Sequence, residues 1–311
     1  MSPARSAARF LPLLCLAAAL HVQQPPSEAP RAKRVVGAGH HRRHCRPDPT
    51  PKTKGNGTDE IVGGTVCSDP SKYPFLAWIG DKSDDGLNQF CGGSLISDRI
   101  VLTAAHCLYE DDYENRQVYI RLRTADFSKE PGIARDVVNW KRHVLYQPTT
   151  MFNDLALWLL NESVPAELVK PVRLSDGQGA FEKSGSKTLI GWGSTDEGCA
   201  SYDTLLREAE LPMGDFGAQC QTPGSKVLDI SDDFDTDREV CAGKYTVPDS
   251  QYPRCGDSGG PLLAQDSGEW VQVGMVSWTY GFPWPDVFTR VSAYRDWIEE
   301  TSQQLLQEGE K

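Results

Sequence analysis

A histidine, an aspartate and a serine stand in three short stretches whose neighbours suit nucleophilic catalysis. His106 follows an apolar run, Asp154 opens a second apolar run, and Ser258 lies in a glycine-rich loop. A serine nucleophile needs a base, a group that orients the base, and N–H donors for the developing oxyanion. Each stretch alone has an ordinary structural explanation, but the combination in the order His, Asp, Ser indicates acyl-transfer chemistry.

The elements that would position these residues are short strands. From Ile61 onward, short alternating apolar runs are separated by clusters of Gly, Pro, Asp, Asn and Ser. Such a pattern predicts antiparallel β-structure. The exception is 292–307, where apolar residues lie in a charged, glutamine-rich background and predict an amphipathic closing helix. The fold class expected is all-β with a C-terminal α-helix.

The same stretches resemble those of trypsin-like serine proteases in content, order and spacing. The resemblance runs from residue 61 to about residue 298, three quarters of the chain. It implies two antiparallel β-barrels with the active site between them. The matching motifs are 61–64 (IVGG), 91–96 (CGGSLI), 103–107 (TAAHC), 154–157 (DLAL), 191–193 (GWG), 256–261 (GDSGGP), 276–278 (VSW) and 289–291 (TRV).

The resemblance also implies a role for each site residue. His106 would take the proton of Ser258, and Asp154 would orient His106 and stabilise its cation. The backbone N–H groups of Gly256 and Ser258 would form the oxyanion hole. Ser277 matches the serine that hydrogen-bonds the aspartate in this family. A secreted serine endopeptidase is therefore expected; the alternative is a protease-like homologue that acts as a binding or regulatory module.

Activation is the first place where the chain departs from its family. The resemblance implies that cleavage before Ile61 frees an amino group that pairs with Asp257, so the intact zymogen should be nearly inactive. Family members usually carry Lys or Arg before the scissile bond, whereas Glu60 stands here. Three explanations stay open: an enzyme that cuts after an acidic residue, trimming after an upstream cut at Lys54 or Arg34, or no cleavage at all.

The specificity pocket is the second departure. Tyr252 stands six residues before the serine, where trypsin-like enzymes hold an aspartate. The stretch before the serine resembles an insertion, which leaves open whether Asp249 reaches the pocket floor. Thr279 and Asp286 replace the two wall glycines of the family. Asp286 slightly favours Lys or Arg side chains in the substrate, while the narrowing by Thr279 makes small side chains a serious rival.

Disulfides are expected in this chain. Nine cysteines are present, and eight remain once Cys15 is removed with the N-terminal leader. Cys45 and Cys255 are left over from the family pattern, and could join each other, stay free or pair otherwise. The pairs that the resemblance implies are Cys91–Cys107, Cys220–Cys241 and Cys67–Cys199.

The N-terminal part of the chain differs in texture from the rest. Arg5 and Arg9 precede an apolar run too short to span a bilayer, which predicts a signal peptide, although a buried helix is an alternative. The following stretch is rich in Pro, Arg, His and Lys and predicts a disordered pro-segment. The expected organisation is signal peptide 1–22, pro-segment 23–60 and protease domain 61–311.

Smaller features concern modification, metals and processing. Asn56 and Asn161 open triplets with the form of glycosylation acceptors. The histidines and arginines of 40–46 fit a solvated basic stretch better than a metal site. The run at 35–37 superficially resembles a second activation end, but its distance from His106 is wrong for the family.

Charge limits the partners. The net charge is -11, and it divides into +6 over residues 1–60 and -17 over the remainder. Such an acidic body argues against nucleic acid as a partner. Protein or peptide substrates and protein inhibitors are the expected partners, with no membrane contact, no cofactor and no metal. The mature protein is expected to be a secreted, extracellular monomer.

Overall fold

A computed structural model describes a large part of the chain. The predicted signal peptide, the basic stretch 40–46, Asn56, Cys220 and Asp249 lie outside the described residues. The residues described are 35–36, 61, 64–83, 86–108, 117–182, 184–196, 198–200, 202–213, 234–243, 251–279 and 285–310.

These residues form mostly short strands. The strands are β1 Val35–Val36, β2 Thr65–Val66, β3 Leu76–Ser83, β4 Gly86–Leu95, β5 Ile100–Thr103, β6 Val118–Leu122, β7 Ile133–Arg142, β8 Ala156–Leu160, β9 Arg173–Leu174, β10 Gly185–Gly191, β11 Arg207–Met213, β12 Glu239–Ala242, β13 Pro261–Asp266, β14 Glu269–Thr279 and β15 Asp286–Arg290. Short 3-10 helices cover Ala105–Leu108, Ala180–Glu182 and Val291–Tyr294, and helix α1 covers Arg295–Glu308.

The first sheet closes into a six-stranded antiparallel barrel in the order β3-β4-β5-β8-β7-β6. Strands β5 and β8 are buried at every position, because their two faces pack against different cores. Val101 and Trp158 point into the barrel core, whereas Leu102 and Leu157 pack with Ile298 of α1. A continuous apolar run therefore replaces alternation wherever a strand is covered on both sides.

The second sheet follows the order β12-β15-β14-β13-β10-β11-β2 and is a half-barrel over the described residues. Its pairs are antiparallel except for β9, which runs parallel to β14. Leu189, Leu262 and Phe288 fill its core, and Ile61 is fully buried among them. Strand β1 pairs with the far end of β14.

The predicted architecture is confirmed: mostly β, with a closed barrel, a half-barrel sheet and one C-terminal helix. Helix α1 covers the outer face of the first barrel with Ile298 and Leu305, while its charged residues face outward. Gly309 ends it by donating its N–H to the carbonyl of Leu305. Across the described residues, every helix falls short of the length and apolarity that a membrane span requires.

Candidate active site

His106 lies in the 3-10 turn that follows β5. A disulfide joins Cys107, its neighbour, to Cys91 on β4, as the resemblance implied. Thr103, at the end of β5, donates its hydroxyl to the carbonyl of Gly92 at 2.8 Å. The histidine is thus held by a covalent link and by strand pairing rather than by a free loop.

Asp154 lies just before β8 and is fully buried. Its Oδ1 accepts the backbone N–H of His106 at 2.9 Å, and its Oδ2 is 2.7 Å from His106 Nδ1. An ionised carboxylate can only accept, so Nδ1 carries the proton and Nε2 is left as the basic nitrogen. Ser277 donates its hydroxyl to the same Oδ2 at 2.6 Å. The structure therefore brings Asp154, His106 and Ser277 together, as the resemblance implied.

Ser258 lies in the loop that precedes β13 of the half-barrel sheet, and its backbone contacts β4 of the closed barrel. Its carbonyl oxygen accepts the N–H of Gly92 at 2.8 Å and is 3.7 Å from Cys107 Sγ. The Oγ of Ser258 and the Nε2 of His106 are both buried and have no hydrogen-bond partner among the described residues. Such pairs are often loosely aligned in free enzymes and tighten when substrate binds.

The glycines around Ser258 are required by the backbone. Gly256 and Gly259 have φ of +96° and +77°, a region that L side chains rarely adopt. A Cβ on Gly259 would lie 2.2 Å from the hydroxyl of Thr103. No backbone hydrogen bond within the described part of the chain uses the N–H of Gly256 or of Ser258. These two N–H groups therefore have no backbone acceptor there, which is compatible with the expected oxyanion hole.

Asp257 is buried beneath this loop, and its two oxygens are each bound once. Oδ1 accepts the N–H of Gly193 at 2.8 Å, and Oδ2 accepts the N–H of Arg254 at 2.9 Å. Burial raises the pKa of Asp257 to about 6, against the lowering effect of those two hydrogen bonds. A Cβ on Gly191 or Gly193 would lie 2.1 or 2.2 Å from the carboxylate oxygens. The GWG motif therefore leaves room for Asp257.

Ile61, the other member of the expected activation pair, is fully buried in the core of the half-barrel sheet. This burial is compatible with the pairing to Asp257, which stays a prediction.

Thr279 and Asp286 meet at one end of the half-barrel sheet, where they are register partners on β14 and β15. Both are buried, as is Tyr252, whose ring lies 4.6 Å from the guanidinium carbon of Arg254. The region that was expected to form the specificity pocket thus has a buried carboxylate on β15.

Sequence reasoning missed Glu239, a second buried carboxylate nearby. Its Oε1 accepts the indole N–H of Trp278 at 2.8 Å, and its Oε2 accepts the N–H of Asp235 at 2.9 Å. The available signal was an acidic residue opening the apolar run of β12. It orients Trp278, whose neighbour Ser277 contacts Asp154.

The expected pairing of Cys67 with Cys199 is wrong. Cys199 is joined to Cys255, and Cys67 is a buried free thiol that lies 3.7 Å from the carbonyl oxygen of Asp69. The N–H of Ser194 donates to the carbonyl of Cys255 at 2.7 Å, so the loop of Cys199 already lies beside that cysteine. Cys255, which was left over from the family pattern, therefore pairs with Cys199.

Two further expectations concern Cys241 and Asn161. Cys241 is disulfide-bonded, and its expected partner lies outside the described residues. Asn161 is exposed at the end of β8, and its Oδ1 accepts the N–H of Asp136 at 3.1 Å. Glycosylation at Asn161 stays a prediction.

Comparison with known proteins shows which family the chain resembles. The family model described as Trypsin matches residues 61–298. A trypsin of Phaedon cochleariae is 34% identical over 82% of this chain and 93% of its own length. Trypsin-1 of Astacus astacus is 34% identical over 77% of this chain and 98% of its own. Phenoloxidase-activating factor 1 of Holotrichia diomphalia is 29% identical over 93% of this chain and 80% of its own.

Proposed function

The chain belongs to the trypsin family and is a serine endopeptidase, and we propose that Ser258, His106 and Asp154 are its catalytic residues. The observation that carries this assignment is the fully buried Asp154 carboxylate, which binds both the backbone and the ring of His106. Here both Nε2 and Ser258 Oγ are buried without partners among the described residues.

The reaction follows from this geometry in two halves. Ser258 Oγ attacks the carbonyl carbon of the peptide and its proton passes to His106 Nε2. The tetrahedral intermediate collapses, the C–N bond breaks, and His106 gives the proton to the leaving amine. A water molecule then attacks the acyl-enzyme in the same way, and the carboxylic acid leaves as Ser258 is restored.

Two groups of the site stabilise charge during these steps. The Asp154 carboxylate stabilises the positive charge that develops on the His106 ring, and it fixes the ring tautomer. The N–H groups of Gly256 and Ser258 bind the oxyanion, where losing one donor typically costs about 2.7–4 kcal/mol of transition-state stabilisation. Neither role requires a metal or a cofactor.

The proposal extends to how the protein is made and activated. A leader at 1–22 directs secretion, and 23–60 is the pro-segment of a zymogen. Cleavage before Ile61 creates an ammonium group that pairs with Asp257 and orders the loop of Gly256. The raised pKa of Asp257 supports this, because a carboxylate in that place is stabilised by a cation.

Substrate choice is proposed to depend on Asp286. Its buried carboxylate lies opposite Thr279 on the neighbouring strand. A cationic Lys or Arg side chain of the substrate would be attracted by that negative charge. A preference for small side chains remains the rival, because Thr279 occupies space that a glycine would leave open.

A fluorophosphonate probe, which reacts only with an activated serine, tests the proposal. Residues 56–60 of the full-length secreted chain are replaced by Asp-Asp-Asp-Asp-Lys, so that enteropeptidase cuts only after residue 60. Labelling is then compared before and after this cleavage. We expect labelling of the cut chain alone. The label should disappear in Ser258→Ala and persist in Ser184→Ala, which changes an exposed serine.

Absence of labelling in a folded, cut chain would contradict the proposal. In that case the residues are present but do not form a working site, and the protein would act as a binding module. Labelling of the uncut chain to the same extent would support the catalytic residues and contradict the zymogen.

A further inference from the structure

Strand β1 lies antiparallel along the last two residues of β14. Val35 is opposite Thr279, and Val36 is opposite Trp278. The other edge of these two β14 residues already pairs with β15. A segment from the N-terminal side of Ile61 thus adds a strand to the remaining edge of the half-barrel sheet.

That edge passes directly beside the proposed nucleophile. Along it, β14 pairs with β13 as far as Met275. Val276 then exchanges hydrogen bonds with the loop of Ser258, through the N–H of Gly259 at 3.0 Å and the carbonyl of Gly260 at 2.9 Å. Trp278 follows two residues later, about 7 Å further along an extended strand. Strand β1 therefore lies next to the loop that carries Ser258.

Ser277, which lies between Val276 and Trp278, connects this edge to Asp154. Ser277 donates its hydroxyl to Asp154 at 2.6 Å, and Trp278 donates its indole N–H to the buried Glu239. Because β1 runs antiparallel to β14, its chain direction leads from Thr279 toward Trp278, that is, toward Ser258. A peptide entering the site in extended form would meet the same backbone groups.

We propose that Val35–Val36 occupies the edge on which peptide substrates bind, so that the pro-segment is an intramolecular competitor of substrate. Extended peptides commonly bind proteins by adding a strand to an open sheet edge, with main-chain hydrogen bonds providing affinity. Two β-branched valines suit such a strand. This inference rests on the proposed endopeptidase function and adds a second level of control to it.

Tethering makes even a weak strand effective. Because Val35–Val36 and the protease domain belong to one chain, the strand acts at an effective concentration of about 1 mM. If the free peptide binds with a Kd of about 0.1 mM, the tethered strand would lower the apparent affinity of a competing peptide by about tenfold. Cleavage before Ile61 alone would not clear the edge; the pro-segment must also leave.

Peptide binding to the uncut full-length chain gives the first test. A fluorescein-labelled synthetic peptide of residues 31–40 is titrated by anisotropy against three chains: wild type, Val35→Pro with Val36→Pro, and Val35→Thr with Val36→Thr. Proline removes the N–H groups needed for strand pairing, whereas threonine keeps them and the β-branched shape. We expect the proline chain to bind the peptide about tenfold more tightly than the other two. Equal binding to all three would overturn the inference.

Inhibition of the cut chain gives the second test. The unlabelled peptide should raise KM for a chromogenic substrate and leave kcat unchanged, and the same peptide with both prolines should be at least tenfold weaker. An enzyme that accepts the fluorophosphonate probe but shows no rise in KM would overturn the inference while the proposed function stands. A cut chain that accepts no probe would instead contradict the proposed function, and anisotropy would still report the occupancy of the edge.

Discussion

The hydroxyl of Ser277 donates a 2.6 Å hydrogen bond to Oδ2 of Asp154. That oxygen is also the one nearest to His106, so the contact decides where the carboxylate points. Ser277 comes from β14 in the half-barrel sheet, while Asp154 precedes β8 of the closed barrel. The contact therefore joins the two sheets at the proposed active site.

Replacing Ser277 should lower turnover without preventing folding. Ser277→Ala removes a hydrogen bond to a charged group, which typically contributes about 1.5–3 kcal/mol, so kcat of the cut chain should fall at least about tenfold. Thr289→Val is the matched control, because Thr289 donates to the backbone carbonyl of Asp154 and not to its carboxylate. Steady-state kinetics check both variants; equal kcat values in the two would contradict the positioning role.

Gly193 should tolerate no side chain. A Cβ there would lie 2.2 Å from Oδ2 of Asp257, and the carboxylate has no space to move because it is buried. Gly193→Ala should cost about 1–3 kcal/mol of stability and abolish fluorophosphonate labelling of the cut chain. In Gly198→Ala the nearest atom is 3.3 Å away, at the end of the Asp196 side chain, and both properties should be retained. Chemical denaturation and labelling measure the difference.

The uncut chain should lose stability as the pH rises through the pKa of Asp257. Burial raises this pKa to about 6 from 3.8, so the folded state holds its proton where the unfolded state has released it. The stabilisation is fully present below about pH 4 and is lost by about pH 6–7, with a total of about 3 kcal/mol.

Asp257→Asn provides the reference for this pH dependence. The unfolding free energy of both chains is measured by tryptophan fluorescence in urea from pH 4 to 7. Over this range the wild type should lose about 3 kcal/mol relative to the variant. In the cut chain an ammonium group at Ile61 would favour the ionised form and reduce or reverse the slope. Parallel curves for the uncut chains would contradict the assignment.

The disulfide between Cys199 and Cys255 should stabilise both the fold and the loop of Ser258. Its ends are 56 residues apart, and closing such a loop contributes about 4 kcal/mol in the chain-entropy model. Cys199→Ser with Cys255→Ser should therefore lower Tm and also kcat, because Cys255 immediately precedes Gly256.

Cys67→Ser is the control for the cysteine variants, since Cys67 is a free thiol among the described residues and its change breaks no described disulfide. Mass spectrometry of non-reduced peptides should recover Cys199 linked to Cys255. Recovery of Cys199 linked to Cys67 would refute the pairing.

Asp286 should determine the preference for basic side chains. Asp286→Asn removes a buried charge that would attract Lys or Arg, so kcat/KM for substrates with those residues before the scissile bond should fall at least about tenfold. Substrates with small residues there should be affected much less. Glu269→Gln, an exposed change at the distant start of β14, should alter neither. A peptide library measures the cleavage preference of the wild type and both variants. An unchanged preference in Asp286→Asn would favour selection by side-chain size through Thr279.

The residues around Ser258 and His106 could be recognised from the sequence because their requirements are local. A glycine-rich loop needs glycine for positive φ, as at Gly256 and Gly259, and these needs appear as adjacent letters in the chain. Alternating apolar runs likewise predicted the strands, since a half-buried strand repeats every two residues. The fold class and the family could therefore be predicted from the amino-acid sequence alone.

Contacts between distant segments were decided only by the tertiary structure. The new partner of Cys255, the role of Glu239 beneath Trp278, and the fit of Gly193 around Asp257 each join residues from separate loops or strands. The pairing of Val35–Val36 with β14 is the most distant case. Such contacts depend on the path of the whole chain, which neighbouring letters in the sequence do not show. Sequence thus determined the family and the candidate catalytic residues, whereas packing decided the cysteine pairing and which segment covers the edge of β14.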